Sequence, residues 1–298
     1  MDNFIQKILP VIVIFFLGYI LKSIKLFTKE NGSTLLKISF YVTLPALTFI
    51  SIAQTELVST YFFLPFLSII VVGITFLLAY LMGKKLNLSR KTFGTFLVGS
   101  MIMNTGFTLP FVVAAYGEKG LAIYTFYDLG NSLLIFTFIY YQAIKFGGNE
   151  SSKIPIRKIF LLPPIWGLLV GVIFNILKIS IYPTVEATFK AIGTPTIFLM
   201  MFSLGIYFNP HLKNLPKILF VLTIRIIVGF FLGLMIVNIF NFSGLIKTLV
   251  ILFSAAPVGY NTLIFSNLEK LDEEFAASIV SISLLLGIIY IPLILFYL

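Results

Sequence analysis

Cysteine is absent from this 298-residue chain, and histidine and tryptophan occur once each. Without thiols there is no disulfide, no thiolate nucleophile and no Cys-ligated metal. Charge is also scarce: Asp, Glu, Lys and Arg make up 11% of the residues, against about 25% in soluble domains. So few charges do not cover the surface of a soluble protein this long. With 59% hydrophobic residues and a mean hydropathy of +1.07, the composition is that of an integral membrane protein. Acids are the scarcer sign, 11 against 21 Lys and Arg, for a net charge of +10. Those bases lie between apolar runs, so they report topology and not a nucleic-acid partner.

A helix needs about 20 mostly apolar residues to cross a bilayer. The runs here are long and continuously apolar, without the alternation of an outer-membrane barrel. We read an all-α polytopic protein of ten spans: 4–22, 32–53, 60–82, 92–116, 120–144, 159–178, 184–208, 216–240, 244–268 and 274–297. The first is no secretory signal, since Asp2 precedes it, Lys7 is its only early base and no small-residue cleavage site follows. The longest connection, Lys145 to Lys158, contains Gly147-Gly148-Asn149-Glu150-Ser151-Ser152 and reads as a linker. Alternating the loops between the two sides gathers fifteen bases on one side and five on the other, with Arg225 inside a span. The positive-inside rule makes the fifteen-base side cytoplasmic, which places both termini outside the cell membrane.

The halves 1–148 and 149–298 share parts. Leu9-Pro10 precedes Gly18 as Leu162-Pro163 precedes Gly171. Span 2 holds Leu44-Pro45 and span 7 holds Thr194-Pro195. Spans 4 and 9 each carry an Asn-Thr pair and a proline: Asn104-Thr105 with Pro110, and Pro257 with Asn261-Thr262. Five spans per half makes the second copy inverted relative to the first. Inverted repeats with interrupted helices in matching positions characterise secondary transporters.

Gly106 and Pro110 weaken span 4, as Pro257 and Gly259 weaken span 9. Backbone groups freed in hydrocarbon cost several kcal/mol each unless satisfied, so two breaks at matching depth imply a shared polar site. The plainer alternative is a pair of proline kinks. Candidate substrate contacts are Asn104, Thr105, Gly106, Pro110, Pro257, Tyr260, Asn261 and Thr262, with the two asparagines first; Asn104→Ala is expected to abolish binding and leave the protein monodisperse. Asp128 and Arg225 lie deep in spans 5 and 8, and Asn131 and Ser132 continue Asp128 into a polar stripe. Intramembrane charges are costly and point to function. These two are expected to support the crossover or couple an ion, as a mutual ion pair or through crossover backbone groups, or else to be structural. Thr43, Pro45, Thr48, Ser51, Pro195 and Ser203 are candidates for a facing wall, although such residues also serve helix packing. His211 reads as a loop residue and Trp166 as an interface anchor. Glu269, Asp272, Glu273 and Glu274 read as an acidic cap on span 10. No metal-ligand cluster, phosphate loop, cofactor motif or nucleophile–base set supports an enzyme.

Tyr41-Val42-Thr43-Leu44-Pro45-Ala46-Leu47, Asn104-Thr105-Gly106-Phe107 through Leu109-Pro110, Tyr116-Gly117-Glu118, Gly120-Leu121-Ala122, Asp128-Leu129-Gly130-Asn131 and Ala255-Ala256-Pro257 with Asn261 resemble, in order and across the chain, the auxin efflux carrier family. The resemblance implies a fold similar to bile-acid symporters and sodium/proton antiporters, with spans 4 and 9 as crossover helices. Spans 1, 2, 6 and 7 would form a scaffold, spans 3–5 and 8–10 a mobile transport domain, and the protein a homodimer. Family members move small organic anions, auxin or dicarboxylates. Plant members carry a long phosphorylated loop between the halves, whereas this chain has about 14 residues there and resembles the minimal prokaryotic type. The expectation is an elevator-type carrier exporting a small carboxylate, bound between the crossovers and the wall. Uniport, proton linkage and sodium coupling stay open, and a cation/proton antiporter using Asp128 is the rival.

Overall fold

A computed structural model describes residues 2–148, 163–208 and 215–298. Most of the linker after Gly148, the start of the span at 159–178, and the loop with His211 lie outside the described residues. Every regular element described is helical. Hydrocarbon dictates this: Ile, Val and Phe are indifferent helix formers in water, but in lipid only a helix closes its own backbone hydrogen bonds.

Seven described helical segments are long and apolar enough to cross a membrane: Ile5–Ser23, Lys29–Gln54, Ser59–Lys85, Thr105–Phe146, Pro183–Tyr207, Leu215–Ile239 and Glu273–Tyr297. The sequence reading expects ten. Part of the difference lies in interrupted helices. Gly244–Ser254 is apolar but short, whereas the span at 159–178 is described only from Pro163 onward, as Pro163–Ile176. Arg90–Met101 stops in mid-span, and Thr105–Phe146 runs through a turn at Gly117 (φ 60°, ψ −140°) that only glycine adopts without strain.

The chain forms two compact units, the first comprising Met1–Phe62, Leu109–Phe126 and Phe160–Phe208, the second Phe63–Thr108, Tyr127–Ile159 and Asn209–Leu298. In the first unit, α1 (Asp2–Ser23) packs on α10 (Thr196–Tyr207), and α3 (Leu44–Gln54) packs on α8 (Pro163–Ile176) and α9 (Pro183–Gly193). A Cβ on Gly18 would overlap the Phe202 carbonyl, and one on Gly205 the Phe15 carbonyl, so glycines on both helices set that crossing. Gly171 plays the same part for α8 against Phe49 and Ile52 of α3. A capping box between Thr28 and Asn31 starts α2 (Lys29–Ile38), which reaches α3 through the π-helical turn Ser39–Thr43.

In the second unit, α4 (Leu64–Lys85) packs on α5 (Arg90–Met101), and α5 packs on α7 (Tyr140–Phe146) and α15 (Glu273–Tyr297). The second unit also holds α11 (Leu215–Leu222), α12 (Gly229–Ile239), α13 (Gly244–Ser254) and α14 (Asn261–Leu268), while α6 (Thr105–Leu134) runs through both units, its stretch Leu109–Phe126 belonging to the first. Asp272 caps α15 through the Phe275 amide (3.0 Å), with Glu273 and Glu274 in its first turn. Glu269 is no part of that cap, contrary to the sequence expectation. It caps the C-terminal end of α14, is 1% exposed and accepts the Tyr140 hydroxyl at 2.5 Å.

Candidate functional site

The second unit contains two broken helices that meet. One breaks at Ile102–Asn104, between α5 and α6; the other at Ala255–Tyr260, between α13 and α14. The breaks lie antiparallel, bridged at Met103 and Val258. The Asn104 amide donates to the Pro257 carbonyl (2.8 Å) and the Gly259 amide to the Ile102 carbonyl (3.0 Å). These bonds satisfy groups that each helix loses on unwinding. The breaks are therefore more than proline kinks. In the first, the interruption precedes the residues that sequence reading held responsible: Gly106 and Pro110 lie inside α6, and the chain leaves the helix where the partner strand offers hydrogen bonds.

Asn104 ties this crossing together. Its Oδ1 accepts from the Phe107 amide (3.1 Å), capping α6, and its Nδ2 donates to the Val258 carbonyl (3.2 Å). The Val258 amide donates to Ser283 Oγ (3.1 Å). Ser283 stands as far after Val258 as Asp128 stands after Met103.

Asp128 and Arg225 do not form an ion pair, so that alternative is corrected. Asp128 serves the N-terminal side of α6, where the half-helix dipole is positive. Its Oδ1 accepts from Thr105 Oγ1 (2.5 Å) and Asn131 Nδ2 (2.9 Å), and its Oδ2 from Ser132 Oγ (2.9 Å). Asn131 also donates to the Met103 carbonyl (3.1 Å). Arg225 serves the opposite ends, bonding carbonyls of Met101, Ser254 and Ala256. Each charge is answered by the helix end of opposite sign.

The two half-helix N-termini are unequal. The first turn of α6 holds the Asn104 cap and the Asp128 carboxylate nearby. No side chain caps α14. Within its first turn Thr262 Oγ1 is buried without a hydrogen-bond partner, and the half-buried Asn261 amide takes on no hydrogen bond among the described residues.

The wall candidates lie in the first unit, together with Pro110. Most of their hydroxyls are engaged within that unit. Thr43 accepts from Thr196 Oγ1 (2.8 Å), Ser51 donates to the Glu118 carbonyl (3.0 Å) and Ser203 to the Leu199 carbonyl (2.5 Å). Pro45 packs against Gly167, and Pro195 begins α10. Only Thr48 keeps a buried hydroxyl without a partner among these six.

Sequence reasoning missed Tyr127, Ser254, Ser283 and Tyr290. The Tyr127 and Ser254 hydroxyls bond at 2.8 Å, and Tyr290 donates to the Ala255 carbonyl (2.6 Å). The signal was a hydroxyl in an otherwise apolar span, which many packing residues share.

The chain thus combines several helices long and apolar enough to cross a membrane with two mutually bonded helix breaks, the features of a polytopic membrane protein. The model of a family described as membrane transport protein matches residues 3–295, so the chain belongs to that family, the auxin efflux carriers. It is 29% identical over 296 residues to an uncharacterized transporter of Methanothermobacter thermautotrophicus, covering 97% of this chain and 96% of the relative. It is 27% identical over 299 residues to the uncharacterized transporter MJ1031 of Methanocaldococcus jannaschii, covering 96% of each.

Proposed function

We propose that this transporter is a secondary carrier of small organic carboxylates, binding the anion at the N-terminal turn of α14. One observation carries the reading: of the two half-helix N-termini in the crossover, α6 is capped by Asn104 and attended by Asp128, while α14 is left with no side-chain cap. A helix N-terminus presents about half a positive charge, and the side chains of Asn261 and Thr262 stand there with hydrogen-bonding capacity that the fold does not use. Asp128 is the weaker candidate for cation/proton exchange, since three neutral donors already hold its carboxylate.

Two features support a ten-span inverted repeat. The α1–α10 and α8–α3 contacts are both made at glycines, Gly18 and Gly171, that occupy corresponding places in the two halves. Ser283 and Asp128 likewise stand at equal distances from their helix breaks. Division of the chain into two units supports an elevator-type motion of the crossover-bearing unit. The base-rich loops favour a cytoplasmic-membrane carrier with those loops inside, where an inside-negative potential drives anion export by about 2.3 kcal/mol per charge per 100 mV.

The test is substrate-driven current in proteoliposomes across a panel of auxins and mono- and dicarboxylates, paired with radiolabelled counterflow to detect electroneutral exchange. A saturable signal for one anion, lost in Asn261→Ala, is expected. No saturable signal by either measurement, or one unchanged in Asn261→Ala, refutes the proposal.

A further inference from the structure

Arg225 is completely buried, in the π-helical turn Thr223–Val228 that joins α11 to α12. Wide turns of this kind recur at functional positions in helices. Its Nε donates to the Ala256 carbonyl at 3.1 Å, one Nη to the Met101 carbonyl at 3.5 Å and the other to the Ser254 carbonyl. Met101 ends α5, Ser254 ends α13, and Ala256 lies in the second break. One guanidinium therefore gathers carbonyls from both interrupted helices. Room for it is built in: a Cβ on Gly229 would meet both the Ser254 carbonyl and an Arg225 Nη.

Among the described residues no carboxylate faces this cation. Asp128 is committed to Thr105, Asn131 and Ser132, and the ion pair seen among the described residues is Lys190–Glu186, in the other unit. Next to the gathered carbonyls are phenols, Tyr290 on the Ala255 carbonyl and Tyr127 on Ser254. Two half-helix C-termini carry about half a negative charge each, together near one unit, which the guanidinium balances. Unwound carbonyls and half-helix C-termini are groups that coordinate a coupling cation in transporters with broken helices.

We propose that Arg225 is a tethered replacement for a coupling cation: it fills the carbonyl cluster of the crossover permanently, so that the carrier neither binds nor requires Na⁺. Arg suits the role because its planar fork spans three carbonyls and keeps its charge when buried. The transport arm of the test rests on the carrier reading above; the stability arm does not.

The experiment measures thermal stability of the purified full chain in detergent, with NaCl, KCl or choline chloride, for wild type, Arg225→Ala and Arg225→Lys. Wild type is expected to show the same Tm in all three salts. Arg225→Ala strands three carbonyls and is expected to fall by about 10 °C. Low-millimolar guanidinium should restore it saturably by mass action, while leaving wild type unmoved. Arg225→Lys keeps the charge but not the fork, so an intermediate Tm indifferent to Na⁺ is expected. Anion flux should follow the same pattern, lost in Arg225→Ala and recovered with guanidinium but not with Na⁺, and in wild type it should be the same in NaCl and choline chloride. Saturable stabilisation of wild type or Arg225→Lys by Na⁺ over choline overturns the proposal, as does folded Arg225→Ala that ignores guanidinium. If Arg225→Ala yields no folded protein, the salt series on wild type and Arg225→Lys decides. Should every stability arm behave as expected with no anion carried, the carrier reading fails and the tethered cation stands.

Discussion

Replacing Asn104 by alanine removes two bonds that hold the crossover, and the loss is calculable. The cap on the Phe107 amide is worth about 1 kcal/mol, and stranding the Val258 carbonyl costs about 1–3 kcal/mol. Together these give roughly 2–4 kcal/mol, or about 5–10 °C in Tm at the sensitivity of large chains. Asn261→Ala removes an amide that takes on no such bonds, and should stay within about 0.5 kcal/mol of wild type. Asn104→Ser retains a capping oxygen and should fall between. Thermal loss of the monodisperse peak in size-exclusion chromatography separates the three. Equal stability of Asn104→Ala and Asn261→Ala would refute the reasoning, since it would mean that Asn104 holds nothing in place. The sequence-level expectation that Asn104→Ala leaves the protein intact is revised accordingly, and Asn261 becomes the cleaner probe of binding.

Asp128→Asn preserves shape and an accepting oxygen, so it should lose less than about 1.5 kcal/mol and keep anion flux, while Asp128→Ala strands three donors and costs about 2–4 kcal/mol; flux abolished in a stable Asp128→Asn would favour cation/proton exchange. Gly117→Ala meets no heavy atom within 4 Å, so its cost is backbone strain alone, about 1–3 kcal/mol. A Tm shift below that of wild type checks it, and no shift would mean that the turn relaxes.

Much was decided by the sequence alone. Long apolar runs with few charges require helices in a bilayer, because no other open structure satisfies its own backbone there. Gly106 with Pro110 and Pro257 with Gly259 marked both interrupted spans, since a proline or glycine in an apolar run weakens a helix whatever surrounds it. Family membership was equally legible, because the matching residues run in order along the whole chain. Tertiary structure decided where the freed backbone groups go. The first helix opens at Ile102–Asn104 and not at Gly106 or Pro110, because the Pro257 carbonyl and Gly259 amide are within reach there. Nor does charge scarcity reveal that Asp128 and Arg225 answer opposite helix ends and not each other. That pairing depends on residues more than a hundred positions apart, Met101 with Arg225 and Met103 with Val258. Helix dipoles and unpaired carbonyls acquire a location only when two broken helices are brought together, and no local pattern records that meeting.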